Sequence, residues 1–171
     1  MSAPARRRLT GTLRVPLPPA RAFPLFTPYG ERAWVQGWDP RFPDDIDDIR
    51  PMGGKGHAGD DGGDGPADTR PGTVFQTHAH GETTTWVVVD RRPGRRMAYA
   101  RVTPGARAGT VEVDLDDDPG APGHSVVTVT YDLTAMDEAA RAELGVFAAG
   151  YGGFLRSWEE AIAASLARDR P

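Results

Sequence analysis

Apolar residues in the last third of the chain recur every three or four positions. This spacing predicts one long helix over about residues 136–168, of roughly 30 residues, with Thr134 as its N-cap. The apolar face of the predicted helix carries Leu144, Phe147, Tyr151, Phe154, Trp158 and Ile162. A face of this breadth must lie on an equally broad apolar surface.

Three glycines, Gly150, Gly152 and Gly153, interrupt this predicted helix. A glycine inside a helix costs about 1 kcal/mol relative to alanine, so three within four residues require a structural reason. We expect a local bend that widens the space beneath the helix. Close approach to a strand or to a second copy of the chain is one alternative, and a break that merely relieves packing strain is another.

Upstream of the helix, apolar and polar residues alternate in short segments separated by Pro and Gly turns. The alternation predicts strands over residues 9–17, 73–80, 83–90, 97–103, 110–115 and 125–133. Two short helices are predicted after the first strand, over residues 21–26 and 30–36. The short connections favour antiparallel pairing, and the element order indicates an α+β fold with helices on one side of the sheet. A long helix laid across a curved sheet encloses space for small apolar molecules.

The segment 53–70 holds almost no apolar side chain and is rich in Gly and Asp. Such a segment gains too little from burial to offset its ordering entropy, so we predict a flexible loop. A lid over a cavity mouth is the alternative. Residues 1–8 are predicted as a disordered tail, which leaves a single domain over residues 9–168.

Composition excludes several classes of protein. The net charge is −4, without the basic excess of a nucleic-acid-binding protein. No apolar run approaches the length of a membrane-spanning helix, and the basic start of the chain lacks the apolar stretch of a signal peptide. There is no cysteine, which excludes disulfides and cysteine metal ligands and fits a cytoplasmic location.

Short stretches of aromatic and strand residues follow one another in a characteristic order. They are Leu25-Phe26-Thr27-Pro28, Gly30-Glu31, Trp34, Trp38-Asp39-Pro40, Gly72-Thr73-Val74-Phe75, Trp86-Val87-Val88, Met97-Ala98-Tyr99 and Val127-Thr128-Val129-Thr130-Tyr131. With the helix through Trp158, this pattern resembles the helix-grip superfamily of START-related and birch-pollen-allergen-like proteins (the SRPBCC group). It is most similar to the bacterial polyketide-cyclase-like and heat-shock-ATPase-activator-like branch.

The resemblance covers about residues 9–166 and implies a curved antiparallel sheet of six to seven strands wrapped around the C-terminal helix. It also implies a cavity between sheet and helix that binds lipids, polyketides or other apolar molecules. Aromatic residues are the candidates for ligand contact. They are Trp34, Trp38, Phe42, Phe75, Trp86, Tyr99, Phe147, Tyr151, Phe154 and Trp158.

Polar candidates are fewer. His78 and His80 lie two apart on a predicted strand and so share a face, where they could start a metal site, line the cavity, or occupy an outward or edge position. Because no third histidine lies nearby in the pattern, we predict no metal. Arg101 and Glu112 lie on predicted strands joined by a turn, at positions that allow a cross-strand pair facing either solvent or the cavity. Catalysis, if present, would be acid–base chemistry by His78, His80, Tyr99, Arg101 or Tyr131.

Three functions fit these observations, since one fold hosts many functions. The first is binding of an apolar or aromatic small molecule, lipid- or polyketide-like. The second is a polyketide cyclase or dehydratase, and the third is a co-chaperone-like protein–protein interaction module. No cofactor and no nucleic-acid partner are expected, and a homodimer is compatible with exposed sheet edges.

Overall fold

The computed structural model describes residues 5–43, 67–79 and 81–169. Six strands form one sheet: β1 (Arg6–Val15), β2 (Val74–Ala79), β3 (Glu82–Arg92), β4 (Arg96–Thr103), β5 (Arg107–Asp117) and β6 (Ser125–Ala135). The α-helices are α1 (Pro19–Ala22), α2 (Glu138–Ala149) and α3 (Tyr151–Arg168). Short 3-10 helices span Phe23–Phe26, Gly30–Ala33 and Ala67–Thr69. The predicted α+β class is confirmed.

The sheet has the strand order β1-β6-β5-β4-β3-β2, and every pair of neighbours is antiparallel. Two of its hairpin turns depend on Gly94 and Gly105, whose positive φ angles of 72° and 75° suit residues without a side chain. A register shift between Val88 and Asp90 on β3 adds to the bending of the strands. The result is the predicted curved antiparallel sheet, with six strands among the described residues.

The long C-terminal helix is confirmed, but it is preceded by a separate helix instead of being continuous. The backbone leaves helical geometry at Gly150, between α2 and α3. The predicted N-cap was wrong: Thr134 lies in β6, and the Asp137 side chain accepts the hydrogen bond from the Ala140 N–H at 2.7 Å. Aspartate caps here because β6 continues to Ala135, two residues beyond its predicted end.

The predicted tail and loop boundaries also need correction. Strand β1 begins at Arg6, and both Arg6 and Arg8 form ion pairs with Asp132 on β6, so residues 6–8 belong to the sheet. Residues 67–69, assigned to the flexible loop by their sequence, form a 3-10 helix in which Asp68 and Thr69 are buried. The remainder of that prediction, residues 53–66, lies outside the described residues, as does His80.

Helix α3 packs chiefly on β1 and covers one face of the sheet. Gly11 of β1 permits this approach, because a Cβ there would meet the Leu155 Cδ1 at 2.5 Å. Tyr151 fixes the start of α3, since its hydroxyl donates a 2.6 Å hydrogen bond to the Val129 carbonyl of β6. Gly152 and Gly153 are exposed, and a Cβ at either would lie near Arg156 alone, so neither marks a close approach to a strand.

None of the helices among the described residues combines the length and apolar character that crossing a membrane requires.

Candidate functional site

The concave face of the sheet, α3 and the 3-10 helix Gly30–Ala33 surround a cavity of about 340 Å³. Strands β2 to β6 supply inward-facing side chains, and α3 lies opposite them. Most of the wall is apolar. The predicted aromatic residues that line it are Trp38, Phe75, Trp86, Tyr99, Phe154 and Trp158.

A second cavity, also of about 340 Å³, adjoins the first beneath α2. Leu133, Leu144 and the predicted residue Phe147 line it. The two cavities share four wall residues, which are Arg101, Arg107, Tyr131 and Phe154. These four residues therefore form a junction between the two spaces.

Three predicted residues lie behind the cavity wall instead of lining it. Trp34 is buried, donates to the Leu25 carbonyl at 2.7 Å and packs edge-on against Trp158. Phe42 packs on Phe75 with 5.5 Å between ring centroids, and Tyr151 is held by its bond to Val129. Each of the three supports a residue or an element that lines the cavity. Amphipathic spacing alone could not distinguish such supporting residues from lining residues.

Two indole N–H groups of the cavity wall are already bonded to protein oxygen atoms. Trp86 donates to Thr77 Oγ1 at 2.9 Å, and Trp38 donates to the Pro28 carbonyl at 2.7 Å. Phe75 stacks parallel to Trp86, with 6.0 Å between ring centroids and 3° between planes. These rings present carbon faces to the cavity, which suit an apolar or aromatic molecule.

Arg101 is one of two arginines in the cavity wall, with Arg107. It lies opposite Trp86 in the register of β3 and β4, and its guanidinium carbon is 4.7 Å from the Trp86 ring centroid. Its Nε is buried and has no hydrogen-bond partner among the described residues. Burial lowers the pKa of this guanidinium.

The predicted pairing of Arg101 with Glu112 was wrong. Arg101 lies opposite Gly109, whereas Glu112 lies opposite Ala98 and forms an ion pair with Arg96 at 3.4 Å. The turn between β4 and β5 sets this register, which strand patterning does not fix, and it puts Arg101 and Glu112 on opposite faces of the sheet. Arg101 faces inward.

Arg107 lies beside Arg101, but its guanidinium is paired with two carboxylates. It contacts Glu82 of β3 at 2.8 Å and Glu143 of α2 at 3.0 Å. These two ion pairs connect β5 to a neighbouring part of the sheet and to α2. Arg107 is therefore a structural cation at the junction of the cavities.

The two tyrosines proposed as acid–base candidates line the cavity. Tyr99 is buried and donates a 2.8 Å hydrogen bond to the Phe26 carbonyl, and burial raises the pKa of its phenol well above the usual range. Tyr131 lies among the rings of Phe147 and Phe154, and burial raises its pKa as well. Both phenols therefore stay protonated near neutral pH and cannot act as bases. The Tyr99 proton is already donated to Phe26, which leaves Tyr131 as the phenol that can donate to a bound molecule.

His78 is among the residues that line the cavity, at the β2 side of its wall. Its Nδ1 lies 2.9 Å from Thr83 Oγ1, and Thr83 is on the face of β3 opposite to the cavity residue Thr84. His80, which was predicted to share a face with His78, lies outside the described part of the chain. Within residues 5–43, 67–79 and 81–169, no three potential histidine or carboxylate metal ligands cluster together.

Glu31 is a wall residue that the sequence did not identify as a candidate. It is buried on the 3-10 helix Gly30–Ala33, and its carboxyl forms no hydrogen bond or ion pair with another described residue. Burial raises its pKa to about 8. The backbone holds it in place, since its N–H donates to the Thr27 carbonyl at 3.0 Å. Only the tertiary closure of the cavity reveals this acid, because an isolated Glu in a short polar helix is ordinarily exposed.

No family model matches the chain, and a search of the curated proteins finds no match. Solved structures do match. CalU16 from Micromonospora echinospora superposes with a TM-score of 0.59 at 16% identity, covering 97% of this chain and 78% of its own. DynU16, from the dynemicin biosynthetic locus, has a TM-score of 0.54 at 15% identity, covering 90% of this chain and 46% of its own.

The solution structure of the Aha1 dimer from Colwellia psychrerythraea is a third match. Its TM-score is 0.55 at 11% identity, with 91% of this chain and 96% of the other covered. Likeness at these identities establishes the architecture, and it agrees with the strand order and the C-terminal helix. The predicted helix-grip fold is confirmed.

Proposed function

We propose that this helix-grip chain binds an apolar or aromatic small molecule, lipid- or polyketide-like, in the cavity between α3 and the sheet. The observation that carries the proposal is the aromatic wall, in which the Trp38 and Trp86 N–H groups are already bonded. A cavity of about 340 Å³ is within the usual size range of small-molecule sites. The neighbour DynU16 belongs to a biosynthetic locus, which supports a biosynthetic small molecule as the ligand class.

A cavity-filling substitution tests this proposal. Val111 of β5 lines the cavity and is 4% exposed, whereas Val102 of β4 is 46% exposed on the outer face. N-Phenyl-1-naphthylamine is a neutral aromatic probe that fluoresces when it leaves water. We expect saturable binding to the wild-type chain, a loss of at least about tenfold in affinity for Val111→Phe, and no change for Val102→Phe.

The paired variants make the result interpretable. Both substitutions add the same ring to the same sheet, so a general effect of the larger residue would appear in both. A thermal melt of each variant checks that Val111→Phe remains folded, since overpacking costs about 1–3 kcal/mol. Equal probe affinity in Val111→Phe and the wild type would contradict binding in this cavity. Native mass spectrometry of the purified chain, before and after denaturation, would identify any small molecule that copurifies.

An acid–base enzyme of the dehydratase or cyclase type is the second candidate, and Glu31 favours it. A carboxyl with a pKa of about 8 still holds its proton at neutral pH. In the dehydration of a β-hydroxyketone, Glu31 would donate that proton as the C–OH bond breaks, and the adjacent C–H would lose its proton to solvent, releasing water. Conversion of 4-hydroxy-4-phenylbutan-2-one to its conjugated enone, followed by absorbance, tests this step. The enzyme proposal requires turnover by the wild type and its loss in Glu31→Gln.

A further inference from the structure

The arginines on the sheet differ in how their charges are balanced. Arg96 contacts three carboxylates and Arg107 contacts two, at distances of 2.8 to 3.4 Å. Arg101 has no carboxylate within ion-pair distance among the described residues, although it faces the cavity. A cation held away from bulk water without a counter-ion is costly, and an anion bound in the cavity would compensate that cost.

We propose that Arg101 binds the anionic group of the ligand, which makes the ligand class an aromatic or apolar molecule with a single carboxylate or similar oxyanion. This inference rests on the proposed function, since it assigns one end of the molecule in the same cavity. The guanidinium lies over the Trp86 face, which restricts its movement. Its planar donor fork is suited to bidentate hydrogen bonding with a carboxylate.

The neighbouring charges are consistent with this role. Glu82 and Glu143 are held by Arg107, and their side chains are 38% and 62% exposed, so water screens much of their charge. Glu82 acts on Arg101 only at longer range. Glu31 faces the same cavity and is neutral below its raised pKa of about 8. The charge of Arg101 is thus available to a bound anion at neutral pH.

The position of Arg101 determines how such a ligand lies. Arg101 is at the junction of the two cavities, while Phe75, Trp38 and Val111 line the first cavity away from the second. An anion on Arg101 therefore leaves the apolar part of the molecule against the aromatic wall. The second cavity, beneath Phe147, has room for a substituent on the charged end.

Two probes that differ by one charged group test the inference. They are 8-anilinonaphthalene-1-sulfonate and N-phenyl-1-naphthylamine, which is the same molecule without the sulfonate. We expect Arg101→Met to weaken binding of the sulfonate probe by about tenfold or more and to leave binding of the neutral probe within about twofold. Arg101→Lys keeps the charge but loses the fork, so we expect an intermediate loss for the sulfonate probe.

Arg92→Met is the matched control, because Arg92 is exposed at the end of β3 and its loss changes the net charge by the same amount. The inference is overturned if Arg101→Met weakens both probes equally, if it leaves the sulfonate probe unchanged, or if Arg92→Met has the same effect. Binding of the neutral probe also reports an intact cavity; where Arg101→Met lacks a cooperative thermal transition, Arg101→Gln replaces it with the same expectations.

Failure of this inference is distinguishable from failure of the proposed function. If the neutral probe binds the wild type and Val111→Phe weakens that binding, the proposed function stands, whatever the effect of the Arg101 substitutions. If the wild type binds neither probe, or if Val111→Phe has no effect, the proposed function fails and the assignment of Arg101 fails with it.

Discussion

Trp86 and Arg101 are opposed residues on β3 and β4, with the guanidinium carbon 4.7 Å from the indole centroid. The contact joins the apolar wall of the cavity to one of its two arginines. Because the indole N–H is bonded to Thr77, the ring cannot turn without losing that hydrogen bond, and the ring in turn holds the guanidinium. The two side chains should therefore be energetically coupled even without a ligand.

A double-mutant cycle measures this coupling. We expect Trp86→Leu and Arg101→Met to interact by about 0.5–2 kcal/mol in the free energy of unfolding from urea denaturation, as expected for a partly desolvated cation–π pair. Thr77→Val provides the control, since it removes the hydrogen-bond acceptor without touching the cation. Additive effects of the Trp86 and Arg101 substitutions would show that the contact contributes nothing to stability.

The Tyr99 hydroxyl is expected to be structural. Its hydrogen bond to the Phe26 carbonyl connects β4 to the 3-10 helix Phe23–Phe26, and Tyr99→Phe leaves that carbonyl unpaired. We expect a loss of about 1–2 kcal/mol in the free energy of unfolding, with unchanged affinity for the neutral naphthylamine probe. Tyr99→Leu, which removes the ring from the wall, should weaken probe binding as well. Unchanged stability in Tyr99→Phe would argue against this role.

Two glycines that look alike in the sequence should respond oppositely to alanine. At Gly30 a Cβ would overlap the Pro24 carbonyl oxygen, which belongs to the backbone and cannot move aside easily. At Gly145, inside α2, it would meet no atom within 4 Å. We expect Gly30→Ala to lose about 2 kcal/mol or more and Gly145→Ala to gain about 0.5–1 kcal/mol. Urea denaturation of both variants checks this, and a stable Gly30→Ala would contradict the close approach.

The architecture could be predicted from the sequence because its signals are local. Alternation of apolar residues marks strands such as β5 and β6, and helical spacing marks α3, whatever lies against them. Boundaries were less accurate where long-range contacts decide them. The first strand includes Arg6 because Asp132, distant in sequence, pairs with it.

The site was harder to predict because it depends on register and on closure. Arg101 was a candidate from the sequence and lines the cavity, yet its expected partner was wrong, since a hairpin turn and not the strand pattern determines which residue it faces. Aromatic residues on one helix face looked equivalent, but Tyr151 bonds to the sheet while Phe154 lines the cavity. Glu31 was part of the family pattern but not a site candidate, because its burial arises only when the sheet and α3 close over it.

The burial of Glu31 makes stability depend on pH in a predictable direction. Its pKa is about 8 in the folded chain, against an ordinary value of 4.5 when unfolded. Below pH 4.5 both states hold the proton and there is no cost. Between these values the unfolded state ionises while the folded state keeps its proton, so the free energy of unfolding falls as pH rises. The fall is complete above pH 8 and amounts to about 5 kcal/mol.

Glu31→Gln removes this dependence, because glutamine fills the same space without ionising. We expect the variant to gain stability relative to the wild type as pH rises from about 5 to about 9, measured by urea denaturation along that range. Tyr99 and Tyr131 face Glu31, but their raised pKa values keep them protonated throughout. Glu160→Gln on the exposed side of α3 is the control, and its free energy of unfolding should change with pH in the same way as that of the wild type. If the stability of Glu31→Gln had the same pH dependence as that of the wild type, the Glu31 carboxyl would ionise near its ordinary pKa. Its role as a proton donor in the cavity would then fail as well.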